Sequence, residues 1–254
     1  MNKKLEDLVN IIQTLRAPNG CDWDREQTSK SLIPYLLEET YEVIEAIQDE
    51  NTNMLQEELG DLLLHVVFQA ELASENGTFN INDVIKSINT KLIKRHPHIF
   101  NPQEKSKSLG KGNWELEKQK EKKRNSILDG IPKILPSLIK ASRIQEKASS
   151  IGFDWDNIKD VKEKVYEEIQ ELEEAIKDNN QNDIENELGD LLFVLVNLGR
   201  HLGVDADNSL NKAVQKFYHR FNKMERLIKT EKLDLKKLSL QELDRFWDKV
   251  KSQE

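Results

Sequence analysis

Leu36, Val43 and Ile47 recur at helical spacing and lay an apolar stripe along a segment that opens at Pro34, a residue suited to a helix's first turn. Leu55, Leu59, Leu62 and Val66 repeat the pattern in the next segment. Both patterns return far downstream, first as Val165, Ile169, Leu172 and Ile176, then as Leu188, Leu191, Leu195 and Leu198. Only a short connection, about 49–53, separates the first two segments, so an antiparallel helical hairpin is expected. The 254 residues contain 10 Gly and 6 Pro, few breakers for a turn-rich β fold. The expected fold class is all-α.

The polar positions repeat as well. Gly20-Cys-Asp-Trp-Asp24 returns as Gly152-Phe-Asp-Trp-Asp156. Glu38-Glu39-Thr-Tyr-Glu42 returns as Glu167-Glu168-Ile-Gln-Glu171, and Glu58-Leu-Gly-Asp61 as Glu187-Leu-Gly-Asp190. Glu39 precedes Glu58 by 19 residues, and Glu168 precedes Glu187 by the same 19. A Lys-x-x-x-Arg pair follows each time, Lys91/Arg95 and Lys216/Arg220, and each copy closes on Trp-x-x-x-Lys, Trp114/Lys118 and Trp247/Lys251. Ordered matches of this kind read as a tandem repeat of two helical modules. Their boundary is expected near Gly130-Ile131-Pro132, giving domains 1–128 and 129–254. A polar stretch, 101–113, reads as a loop within the first copy.

Glu39 and Glu42 share one helix face, and Glu58 and Asp61 share a face of the next helix. Taken alone, a Glu-x-x-Glu is an ordinary solvated face in a chain with 46 acidic residues. Glu39, however, falls in phase with Leu36 and Val43, Glu58 with Leu55 and Leu62, and Glu168 with Val165 and Leu172. Carboxylates aimed at a core are costly unless a cation neutralises them. Clustered carboxylates without thiolate are hard oxygen ligands that suit Mg²⁺, or Mn²⁺ in its place. A di-iron bundle would need Glu-x-x-His pairs, which do not occur at these positions. The counterpart of His65 in the other copy is Val194, so His65 reads as a packing or rim residue; His96 and His98 have no counterparts and read as surface groups.

The i,i+4 pairs Lys91/Arg95 and Lys216/Arg220 each point two charges one way, as a solvated basic face or as a phosphate clamp beside an acidic metal site. Trp114 and Trp247 read as core residues or as neighbours of a base, and Lys118 and Lys251 stand within reach of phosphate.

Charge changes the picture only by exclusion. A net −8 disfavours a nucleic acid polymer as partner, because counterion release needs a basic face. The single cysteine, Cys21, allows no intrachain disulfide, and with no apolar leader or long apolar run the expectation is a cytoplasmic protein without a membrane partner.

Gly20 to Thr28, the Glu-Glu-x-x-Glu helix, the Glu-Leu-Gly-Asp-Leu-Leu helix and Arg95-His-Pro-His-Ile-Phe100 together resemble the MazG nucleoside triphosphate pyrophosphohydrolases over essentially the whole chain. One departure is Asp22, where that family usually has Pro. The resemblance implies an all-α fold whose subunits dimerise to complete helical bundles. It implies Mg²⁺-dependent hydrolysis of nucleoside triphosphates between the α and β phosphates with broad base tolerance, clearing unwanted nucleotides. Metal-ligand roles carry over to Glu168, Glu171, Glu187 and Asp190, and equally to Glu39, Glu42, Glu58 and Asp61. Nucleotide contacts carry over to Lys216, Arg220, Trp247 and Lys251, and to Lys91, Arg95, Trp114 and Lys118. Glu38 and Glu167, beside each set, are candidates for orienting or deprotonating the attacking water. Two other readings stay open: a narrow-specificity dUTP or phosphoribosyl-ATP pyrophosphohydrolase, and a non-catalytic helical adaptor.

Overall fold

Two connections, 129 residues apart, close in the same way. At the first, Glu50 takes a left-handed φ of 52°, its N–H donates to Ile47 O, and the Asn51 N–H reaches back to Ala46 O. At the second, Asn179 takes the same φ of 52°, its N–H donates to Ile176 O, and the Asn180 N–H reaches Ala175 O. Each pair of bonds satisfies carbonyls that a helix end leaves orphaned. The residue that follows caps the next helix: Asn51 Oδ1 accepts from the Met54 N–H at 3.2 Å, and Asn180 Oδ1 from the Asn182 N–H at 3.2 Å. Three residues therefore end one helix, reverse the chain and start another, and the hairpins expected from the apolar stripes form.

The computed structural model describes residues 3–100, 122 and 124–253, and every regular element among them is helical. The chain divides into two units, Met1–Ser108 and Leu109–Glu254. The polar stretch 101–113, Trp114 and Lys118 lie outside the described residues.

The first unit contains α1 (Lys3–Arg16), the short α2 (Asp22–Glu26), α3 (Ile33–Gln48), α4 (Thr52–Glu75), α5 (Ile81–Arg95) and α6 (Pro97–Phe100). Pro34 sits in the first turn of α3, as expected. Asn80 and Asp83 form a reciprocal capping box at the start of α5. Helix α4 is the hub, packed by α3, α1 and α5. Its Val67, Phe68, Ala70 and Leu72 join Ile12, Leu32 and Ile81 in one core. Full burial of a side chain such as Ile12 contributes about 1.5–3 kcal/mol.

The second unit contains α7 (Ser137–Ser149), α8 (Ile158–Lys177), α9 (Gln181–His201), α10 (Ala206–Thr230), a 3₁₀ turn (Leu235–Lys237) and α11 (Leu240–Lys251). Helix α9 packs against α8, α7 and α10, while α10 and α11 close a further core around Met224, Ile228, Phe246 and Val250. Lys147, buried in α7, donates from Nζ to Ile127 O at 2.8 Å and so binds the chain ahead of α7 onto this unit.

The stripes are only half used inside each unit. Leu36, Val43, Leu55 and Leu62 are half-buried, whereas Ile47, Leu59 and Val66 are exposed. In the second unit Val165, Leu172, Leu191 and Leu198 are half-buried, and Ile169, Ile176, Leu188 and Leu195 are exposed. A two-helix layer has a far side, and the units as described leave it open.

Candidate metal and nucleotide site

The hairpins set the site because both arms of each contribute carboxylates. In the first unit, Glu39 from α3 meets Glu58 and Asp61 from α4, with one carboxylate oxygen of each lying within 4.8 Å of the others. All three are half-buried. Burial pushes the Glu39 carboxyl up to about 7, and Asp61, Glu42 and Glu58 push the same way. Burial also raises Glu58, again with Glu42 and Asp61 beside it. Burial and the neighbouring carboxylates together favour the neutral acid at Glu39. Glu42 stands at its edge, close enough to act on both Glu39 and Glu58.

In the second unit, Glu168 and Glu171 from α8 meet Glu187 from α9 within the same 4.8 Å. Glu168 is 5% exposed, although its helix is strongly charged. Burial again raises Glu171, with Glu168 pushing the same way and Lys164 opposing. Asp190 is exposed and stands outside this group of three.

One residue here went unmarked in the sequence reading. Lys164, a turn before Glu168, places Nζ 2.6 Å from Glu167 Oε1 and 2.7 Å from Glu168 Oε1. These carboxylates hold its ammonium well above the ordinary lysine range. The matching position in the first unit, at the same 129-residue offset, is Tyr35. Glu167, the candidate for handling water, is thus engaged by an ion pair, while Glu38 is simply exposed.

The basic pairs stand on the helix after each hairpin. Lys91 is half-buried in a groove lined by Phe79, Asp83, Val84, Ser87 and Ile88, none of them in the acidic set. Arg95 and Arg220 are half-buried and Lys216 is exposed. Trp247 packs beside Phe217, ring centroids 5.2 Å apart, at the margin of the α10–α11 core. Lys251 pairs with Asp248 on its own helix at 2.7 Å. His65 is buried on α4, in line with a packing role. His96 and His98, expected at the surface, are instead half-buried: the His96 ring bonds Leu92 O at 2.8 Å, and the two rings lie 5.9 Å apart. The short α6 turns them back toward α5, which a bare His-Pro-His does not reveal.

An arginine ties the loop ahead of each hairpin to the hub helix, by different routes. Arg16 grips Glu75 of α4 through two bonds of 2.6 and 2.7 Å and also donates to Asp24 O of the short α2. In the second unit Arg200 of α9 pairs with Asp154, and His201 Nε2 lies 3.1 Å from the same carboxylate oxygen. Burial alone would raise Asp154, but hydrogen bonds from Arg200, His201 and Ser149 hold it down at about 2.

Oxygen donors from two helices, close together and without sulfur, fit a hard divalent cation. Comparison with known proteins identifies the family. The profile of the MazG nucleotide pyrophosphohydrolase domain matches residues 27–100 and again 157–224, one match over each hairpin. The chain is 49% identical over 248 residues to the nucleoside triphosphate pyrophosphohydrolase/pyrophosphatase MazG of Thermotoga maritima, covering 97% of this chain and 95% of that one. It is 44% identical over 262 residues to the nucleoside triphosphate pyrophosphohydrolase of Escherichia coli strain K12, covering 99% and 98%. It is also 41% identical to YabN of Bacillus subtilis, an uncharacterized protein of which it covers 51%. With acidic hairpins at both matched segments and full-length similarity to two such enzymes, the chain belongs to the MazG nucleotide pyrophosphohydrolase family.

Proposed function

We propose that this protein hydrolyses nucleoside triphosphates, ribose and deoxyribose alike, to the monophosphate and pyrophosphate. Mg²⁺ is the proposed ion, with Mn²⁺ as substitute. The carrying observation is the acidic hairpin itself: carboxylates from two helices brought together twice in one chain, all but Glu171 half-buried or buried. The first set would be Glu39, Glu58 and Asp61 with Glu42 at its edge, the second Glu168, Glu171 and Glu187 with Asp190 at its edge. When bound, the cation neutralises phosphate charge and makes the α-phosphorus more electrophilic.

The protein's own groups supply positioning. The carboxylates orient the triphosphate chain by fixing where its counter-charge sits. Lys216 and Arg220, or Lys91 and Arg95, would balance the charge that develops on departing pyrophosphate, together with Lys251 or Lys118. Glu38 or Glu167 would hold the attacking water and take its proton. Trp247 and Trp114 are the carried-over nucleotide contacts. Reading 1–128 and 129–254 as the two domains belongs to the same proposal, as do a cytoplasmic location and a role in clearing surplus nucleotides. No helix among the described residues is long and apolar enough to cross a membrane.

The exposed halves of the apolar stripes support a homodimer in which a second copy covers them. A non-catalytic adaptor would have no use for buried Glu168 or for a carboxyl raised as far as Glu39. The deciding experiment follows phosphate products from a panel of NTPs and dNTPs, with and without Mg²⁺. Monophosphate plus pyrophosphate across the panel is the expected result. Diphosphate plus orthophosphate, or turnover that survives joint Glu39→Gln and Glu168→Gln replacement, would overturn it, and turnover of one nucleotide alone would mark a narrow-specificity enzyme.

A further inference from the structure

Trp23 and Tyr35 form an edge-to-face pair, ring centroids 5.8 Å apart and planes at 78°, yet they remain 50% and 41% exposed. Two large aromatics in contact usually mark a core corner. Here they stand in the open, and the backbone beneath them is held from several sides. Gln27 Nε2 donates to Trp23 O at 3.0 Å. Ser31 Oγ accepts from the Thr28 N–H at 2.9 Å and donates to Gln27 Oε1 at 2.7 Å. Gln69 of α4 donates to Ser29 O at 3.3 Å, and Arg16 to Asp24 O. Ahead of α2 the chain passes so close to α1 that a Cβ on Gly20 would sit 2.1 Å from Leu15 O. The rings are therefore displayed on a fixed support.

Their position gives them a use. Tyr35 lies one helical turn before Glu39 on the same face of α3, so the aromatic corner borders the acidic cluster. An edge-to-face pair leaves ring faces available, and a stacked base needs only such a face. Among its described residues the second unit does not repeat this arrangement at the position of Tyr35. Lys164 replaces Tyr35 and turns onto Glu167 and Glu168. Trp247, the aromatic carried over as a nucleotide contact there, packs against Phe217.

We propose that Trp23, backed by Tyr35, is the platform on which the first copy stacks the nucleobase of a triphosphate whose phosphates lie at Glu39, Glu58 and Asp61. This rests on the pyrophosphohydrolase reading of that cluster. A flat π-face without a polar reader accepts any base, so the platform supplies affinity rather than base choice.

The full-length chain carrying Glu168→Gln, which disables the second cluster, isolates the first copy. Titration calorimetry with Mg²⁺ then compares α,β-methylene-ATP, which has a base, with inorganic tripolyphosphate, which has none. Trp23→Ala is expected to weaken α,β-methylene-ATP about tenfold or more while changing tripolyphosphate by less than about twofold, and Trp23→Phe to keep most of the affinity. Tyr35→Ala moves the same way by a smaller factor. Equal α,β-methylene-ATP affinity with and without Trp23 overturns the platform. A parallel loss of tripolyphosphate also overturns it, because the ring would then only be shaping the turn. Glu39→Gln separates the two ideas: if it leaves tripolyphosphate binding untouched, the reading of the cluster fails and the platform with it. Absence of α,β-methylene-ATP binding in the Glu168→Gln chain refutes the proposal directly.

Discussion

Lys164 Nζ lies 2.7 Å from Glu168 Oε1, so the second acidic cluster carries an ammonium of its own where the first has the phenol of Tyr35. A cation entering the second cluster must compete with that ammonium for Glu168. Lys164→Met should therefore raise Mn²⁺ affinity at the second cluster about tenfold in the nucleotide-free chain, the scale of one charge-assisted bond. Electron paramagnetic resonance of free Mn²⁺, in a Glu39→Gln background that removes the first cluster, reads this directly. An unchanged or weaker affinity would show that Lys164 does not guard the site.

The first cluster has the opposite problem, carboxylates crowded against one another. The Glu39 carboxyl is raised to about 7 in the folded chain, above its unfolded value near 4.5. Its contribution to stability is thus fully present below about pH 4.5 and is lost as pH rises through about 7. Without divalent cation, Glu39→Gln should raise the unfolding midpoint at pH 8 and leave it nearly unchanged at pH 4.5. Thermal melts at the two pH values test the sign.

Asp154 titrates the other way. Held at about 2 against an ordinary value near 3.8, it contributes stability above about pH 4 that disappears as pH falls toward 2. Asp154→Asn removes the negative charge that Arg200 and His201 share and should cost about 2 kcal/mol at pH 7, read by urea unfolding. The same variant should lose less stability than the parent between pH 4 and 2.

Covering the open stripes gives a further check. Ile47 and Val66 are 57% and 42% exposed, so a lysine at either costs the isolated unit little. If a second copy buries them, Ile47→Lys with Val66→Lys should shift the sedimentation coefficient from dimer to monomer. A parent chain that sediments as a monomer at micromolar concentration removes the dimer from the proposal. As a control, Ile12→Ala in the core should cost about 3 kcal/mol.

Much of this architecture was legible in the residues alone. Leu36, Val43, Leu55 and Leu62 marked the arms, and Pro34 stands where a helix begins. Glu39 and Glu168 betrayed themselves by falling in phase with apolar neighbours, and both lost solvent accordingly. What stayed hidden depends on what lies across a helix rather than along it. Periodicity marks Ile47 and Leu36 alike as apolar, but only packing shows that one is covered and the other is not. Lys164 carried no signal among the many lysines of a charged helix, and its meaning lies in the two carboxylates it meets. Trp23 and Tyr35 both fall in repeated segments, but the contact between their rings has no period along the chain.

The paired reversals at Glu50 and Asn179 act as a ruler. Because each ends one helix and caps the next within three residues, a single inserted amino acid there would rotate the second arm by about 100° and carry its acidic groups off the shared face. The two halves differ in what surrounds the carboxylates, a tyrosine in one and a lysine in the other, while the count of 19 between the arms is the same in both. That fixed interval is where a distant descendant of either half should still be recognisable after its other markings are gone.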